Sequence, residues 1–225
     1  MSSKKTTAEF LAELQQDEEF QRKQRERDAK LEKRRIEAAK EQKSIVSDLG
    51  AVGVYIDSVW DLVNTSEPYF SALPILIEHL DKPYSQRTKE GIIRAITVEP
   101  AKGLAGNKLL KMFRSESDDN LRWVIGNALS RVATEKEITD VLDLLGQAKY
   151  GYARSELVHA VARIQGNQGI DLLISLLDDE DVFAQTIIAL GNLKAHVAKE
   201  KIAKFADHND SWVRNQVSKA LSKIG

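Results

Sequence analysis

Residues 202–224 read IAKFADHNDSWVRNQVSKALSKI, and this stretch decides the fold. Ile202 and Phe205 mark the apolar face of a short helix. Asp207, His208, Asn209 and Asp210 then make a polar turn, and Trp212 opens a second helix that runs to Ile224. On that second helix Val213, Val217, Ala220, Leu221 and Ile224 fall on one stripe, the spacing of a half-buried helix. The same stripe reads Leu121, Ile125, Ala128, Leu129 and Val132 upstream, and Ala153, Leu157, Ala160, Val161 and Ile164 between them. Taking Lys89, Arg122, Arg154, Phe183 and Arg214 as anchors, an alanine stands six residues on in all five copies: Ala95, Ala128, Ala160, Ala189 and Ala220. An aliphatic residue follows each: Ile96, Leu129, Val161, Leu190 and Leu221. The anchors are roughly 30 residues apart, a period that implies stacked helix pairs.

The first helices of the pairs are equally regular. They read Ile75, Leu76, Leu80; Leu109, Leu110, Phe113; Val141, Leu142, Leu145; and Leu172, Leu173, Leu176, Leu177. An alanine on the stripe lets two helices cross closely, where a larger residue would push them apart. Asp118, Asp179 and Asp210 each precede their anchor by four residues, where a carboxylate can cap a helix N-terminus. The anchor arginines are expected to reach the acidic turn of a neighbouring copy, a structural role.

The pattern resembles the HEAT-like repeats, in particular the short kind also found in phycobilin lyases. Asp118, Arg122, Ala128, Leu129 and Val132 carry the match, and so do Asp210, Arg214, Ala220, Leu221 and Ile224. The resemblance implies an all-α, armadillo-like architecture, a right-handed α-solenoid of about five helix pairs over residues 69–225. Phe183 departs from it at an arginine position, and Lys89 departs with Ser85 before it. The lyases share the repeats alone and contribute no site residue.

Residues 46–68 are expected to cap the solenoid, and residues 1–45 to form a charged helical arm. Acids and bases together fill about two thirds of residues 17–43, and Gly and Pro are missing before Gly50. A single helix is predicted from near Thr7 to near Leu49, with Glu18–Arg22, Glu19–Lys23 and Glu26–Lys30 pairs four residues apart. Its apolar residues are too sparse for a coiled coil. It reads either as a solvated arm or as a partner-binding, self-associating one led by Phe10, Leu11 and Leu14. The apolar stretch from Ile45 to Ile56 is expected to dock on the first pair. Ser58 and Asp61 have the form of a capping box, Trp60 is expected to plug the end of the stack, and Pro68 to open the first repeat helix. This N-terminal arrangement is similar to that of bacterial HEAT-repeat proteins, which implies no activity.

Composition narrows the classes. Lys and Arg number 33 against 34 Asp and Glu, and the repeat region is slightly acidic, so a nucleic-acid partner is disfavoured. There is no cysteine and no apolar run of the roughly 18 residues that cross a bilayer, so a cytoplasmic protein with no membrane partner is expected. His79, His159, His196 and His208 lie in separate segments without metal-ligand spacing. Gly91, Gly103 and Gly106 do not form a phosphate loop, and no nucleophile elbow is present. No metal, no cofactor and no catalytic residue are expected.

What remains is the face of the second helices opposite the core stripe, expected to line the concave side. At about 100° per residue it carries Asn120, Trp123, Asn127; Tyr152, Ser155, His159; Asp181, Ala184, Ile188; and Trp212, Asn215, Lys219. Aromatic anchors ringed by polar groups compose binding hot spots. The expected partner site is therefore Trp123, Asn127, Tyr152, His159, Ile188, Trp212 and Asn215, holding a protein or peptide. A scaffold, regulatory or immunity protein are the forms this would take. The alternative is an enzyme: some HEAT-like proteins are DNA glycosylases that hold a cationic base between tryptophans and a carboxylate. Trp123 and Trp212 would supply the walls and Arg154 a phosphate contact, but Asn127 stands where a negative charge is needed.

Overall fold

The computed structural model describes Thr6 and residues 17–63 and 65–225. Phe10, Leu11, Leu14 and the expected helix start near Thr7 lie outside the described residues. Those described are all-helical, with eleven α-helices, short 3-10 turns and no strand among them. The long helix α1 spans Glu18–Gly50. Asp17 caps it by accepting from the backbone N–H groups of Glu19 and Phe20 at 2.9 and 3.0 Å. Lys23 pairs with Glu19 at 2.6 Å as expected, whereas Arg22 turns forward to Glu26 rather than back to Glu18.

The last turns of α1 dock through both apolar and polar groups. Ile45 and Leu49 are fully buried, and Gln42 is nearly so. Gln42 donates to the Thr88 hydroxyl at 3.3 Å and accepts from the Ser58 hydroxyl and the Val59 N–H at 3.0 and 2.9 Å. Burial pushes the Glu41 carboxyl up, but bonds from the Ser85 N–H and the Thr88 and Ser85 hydroxyls outweigh it and hold it below the usual carboxylate range. Asp48 accepts from buried His79 at 2.8 Å and is held low by that bond and by Lys82. The Ser58–Asp61 capping box forms, opening the 3-10 turn Val59–Leu62. Trp60 lies half-buried on Gly91, where an added Cβ would come within 2.7 Å of Val59 and 3.0 Å of Trp60.

After this entry the helices alternate: α2 (Leu73–His79), α3 (Gln86–Ala95), α4 (Gly106–Ser115), α5 (Asp119–Val132), α6 (Ile138–Leu145), α7 (Leu157–Gln165), α8 (Ile170–Ser175), α9 (Phe183–Asn192), α10 (Lys199–Ala203) and α11 (Ser211–Ile224). Each shorter helix packs on the one that follows it, α2 on α3, α4 on α5, α6 on α7, α8 on α9 and α10 on α11. The second helices also touch in series, α3 with α5, α5 with α7, α7 with α9 and α9 with α11. All five register alanines lie in the core, and none is more than 3 % exposed. Their smallness is used: a Cβ on Gly191 of α9 would fall 2.7 Å from both Cα and Cβ of Ala220 on α11.

Ala160→Phe is accordingly expected to cost about 1–3 kcal/mol, and Ala220→Phe less. Ala160 sits on α7 between α5 and α9, whereas Ala220 meets a second helix on one side only. Urea melts of the two variants check this; equal, negligible losses would show the packing to be wrong.

Several local expectations are corrected. Helix α2 begins at Leu73 with Pro74 in its first turn; the 3-10 turn Phe70–Ala72 separates it from Pro68. In the third copy α7 starts only at Leu157. Residues Ala148–Arg154 form a 3-10 segment broken at Gly151, whose φ of 49° suits a residue without Cβ. Leu172, expected on the apolar face, is 38 % exposed, while its neighbour Leu173 is fully buried.

Candidate functional site: two clefts on the second helices

The anchor arginines are structural, but not uniformly. Arg122 donates through Nε to the Phe113 carbonyl at 3.2 Å and bonds the Glu116 carbonyl and its own-turn Asp119, not a neighbouring copy. Arg154, 2 % exposed, donates to the Leu145 carbonyl at 3.0 Å and reaches forward to Asp179 at 2.9 Å and Asp181 at 3.3 Å. Its guanidinium thus reaches the acidic turn of the next copy, as expected of an anchor, and is not free for the phosphate contact of the glycosylase alternative. Arg214 donates to the His208 and Asn209 carbonyls at 2.6 and 2.9 Å. Asp118 and Asp210 cap α5 and α11, through the Leu121 and Trp212 N–H groups at 2.8 and 2.7 Å. Asp179 does not cap α9; it accepts from Arg154 and from the Asp181 N–H.

The expected face is divided between two clefts. The first, of about 400 Å3, lies between α3 and α5, with Glu90 and Arg94 on one wall and Asn120 and Trp123 on the other. Tyr152 closes it by donating its hydroxyl to Asn120 at 2.8 Å. Of its charged groups, Arg94 pairs with Glu90 at 2.8 Å and Asp118 caps α5. Trp123 is half-buried and packs against the core, so it is less exposed than its register predicted. Asn127 is half-buried on the same helix, its carbonyl accepting from Ser130, and does not line the cleft.

The second cleft, of about 660 Å3, lies between α9 and α11. Trp212 stands at its edge, 46 % exposed. Phe183 and Phe205 form the floor, their rings 5.2 Å apart and within 20° of parallel, and His208 leans on Phe183 at 5.5 Å. Asp178, Glu180 and Asp210 ring it, and no Lys or Arg lines it. Sequence reading placed Trp212 here but took Phe205 for core, and it passed over Phe183, Asp178 and Glu180. The signals were present: Phe183 replaces an anchor cation, and residues 178–181 are four consecutive acids.

Ala184 lines the second cleft with Trp212, and the other expected residues stand apart from both clefts. Ser155, assigned outward, is buried, because the 3-10 segment rotates it inward. Ile188 is half-buried and Asn215 exposed, and neither lines a cleft. His159 is half-buried rather than exposed, 3.0 Å from Gln185, whose amide donates to Glu156 at 3.1 Å. Glu156 is 8 % exposed, and burial pushes its pKa up, with His159 opposing.

A carboxyl raised on folding binds more protons folded than unfolded, so it costs stability as pH rises from the ordinary carboxylate range through the raised value. Glu156→Gln is therefore expected to raise the melting temperature at pH 7 and to leave it unchanged at a pH below the ordinary range. Thermal melts across pH test this; no gain at neutral pH would mean the ionised form is fully compensated.

No group of His, Cys, Asp and Glu suited to a metal ion occurs among the described residues. Among them no helix is long and apolar enough to cross a membrane. No protein-family model matches the chain, and no curated protein matches it in sequence.

Proposed function

We propose that this protein is a non-catalytic interaction module of HEAT-like, right-handed solenoid form, which binds a protein or peptide partner along the face of its second helices. The serial contacts of α3, α5, α7, α9 and α11 support the stacked arrangement. The observation that carries the binding role is Trp212. A side chain of its size left 46 % exposed, at the edge of an aromatic-floored cleft and ringed by polar groups, has the composition of a hot spot awaiting its partner. The half-buried Trp123 lines the other cleft, between α3 and α5.

The test is affinity capture from the native host with mass spectrometry, using the wild type and Trp212→Ala side by side. A partner retained by the first and lost by the second is the expected result. Equal capture by both would remove the cleft from the binding surface. Reproducible release of bases from alkylated DNA by the wild type would overturn the non-catalytic reading.

A further inference from the structure

Three copies of the register hold an arginine at the anchor, and each guanidinium is bound by the protein itself. Arg122 and Arg154 donate to carbonyls near the end of the preceding helix, and Arg214 to carbonyls of the turn that follows it. The fourth copy has Phe183 there, so it supplies no guanidinium of its own. In the second and fifth copies the accepting carbonyl includes that of the residue six before the anchor, Glu116 and His208. The corresponding residue of the fourth copy is Leu177, and it lines the Trp212 cleft.

The acids of this copy are sorted in the same sense. Of the run 178–181, Asp179 and Asp181 turn to Arg154 from the copy before. Asp178 and Glu180, the alternate members, line the cleft, and among the described residues no cation pairs with either. Asp210 adds a third carboxylate from across the cleft, where one oxygen already caps α11. The exposed Trp212 ring, the Phe183–Phe205 stack and His208 complete the lining.

We infer that this cleft receives an arginine side chain from a basic segment of the partner, in place of the anchor guanidinium the fourth copy lacks. The inference rests on the proposed protein-binding role and specifies its ligand chemistry. A planar guanidinium can stack on an aromatic face and meet carboxylates edge-on through paired N–H groups, two demands a lysine ammonium does not meet together. The negative ring also disfavours acidic segments and phosphate backbones by like-charge repulsion.

The probe is a short peptide, Gly-Ser-Arg-Ser-Gly with blocked ends so that the arginine is its single charge, titrated into the full-length protein. Matched peptides carry citrulline or lysine at the centre, and the readout is the indole N–H resonance of Trp212. The arginine peptide is expected to shift that resonance saturably, with citrulline giving no shift and lysine a weaker one. Asp178→Asn combined with Glu180→Gln, both on exposed positions, should weaken binding by about tenfold. Phe183→Arg should abolish it by filling the cleft from within, with circular dichroism confirming that the variant is folded. Equal binding of citrulline, equal binding of lysine, or indifference to the double acid substitution would each overturn the assignment.

Two further outcomes separate this inference from the role it rests on. Partner capture lost in Trp212→Ala without arginine-peptide binding would remove the arginine and leave the module. Peptide binding with capture unchanged would keep the arginine site and remove the role. A dimer in sedimentation that the double acid substitution dissolves would assign the cleft to the basic side chains of α1 on a second copy, and overturn the separate partner.

Discussion

Phe113→Ala is expected to lower the free energy of unfolding by about 3–5 kcal/mol. Phe113 is fully buried at the junction of α4, α5 and the 3-10 segment before α7. Its ring meets Tyr150 edge-on at 5.2 Å and 75°, and lies where a Cβ on Gly126 would touch it at 3.4 Å. The Tyr150 ring is in turn covered by the Arg122 guanidinium at 5.2 Å, while Arg122 donates to the Phe113 carbonyl. Truncation therefore opens a cavity whose walls are pinned by hydrogen bonds and cannot collapse into it, and cavities of that kind carry the upper end of the cost. Phe113→Leu should cost far less, under about 1.5 kcal/mol, because most of the volume is kept. Urea unfolding reads both: the midpoint should fall with an unchanged slope. A loss below about 1 kcal/mol for the alanine variant would mean that this junction relaxes and the three elements are only loosely coupled.

Trp212→Ala is expected to weaken partner binding by about 2 kcal/mol or more, roughly thirtyfold in Kd, with little effect on stability. The separation follows from its exposure: nearly half its surface contributes nothing to the folded chain alone but is available to be desolvated by a partner. Trp123→Ala is the useful contrast. That ring already packs against the core, so its removal should cost stability as well as binding, and the two effects should appear together. Lys219→Ala, at an exposed surface charge, should change Kd little and the association rate more. Calorimetric titration of the three variants with the captured partner, beside thermal melts of each, gives both quantities. Unchanged affinity in Trp212→Ala would show that the partner docks elsewhere.

The helical class, the second helices outside the third copy and the buried alanine register were legible in the sequence, for one physical reason. A helix that buries one stripe must repeat its apolar residues with the helical period, and the pattern survives whatever the helix packs against. Local caps were legible on the same terms, as Ser58 with Asp61 and Asp210 before α11 show, because they join residues close in the chain. The third copy failed where a glycine at φ 49° broke the helix that its apolar stripe implied, turning Ser155 inward. Which outward residues share a cleft was not legible either. Trp123 and Trp212 occupy equivalent faces but separate clefts, and His159 is drawn into contact with Gln185. Periodicity reports the angle of a side chain about its own helix, whereas a cleft is set by the distance and tilt between helices. Those depend on every side chain at the crossing, down to the missing Cβ of Gly191 against Ala220. The sequence alone determined the helices and their buried alanine register; only the tertiary packing decided which outward residues stay exposed, and that Phe183, Phe205 and Trp212 line one acidic cleft.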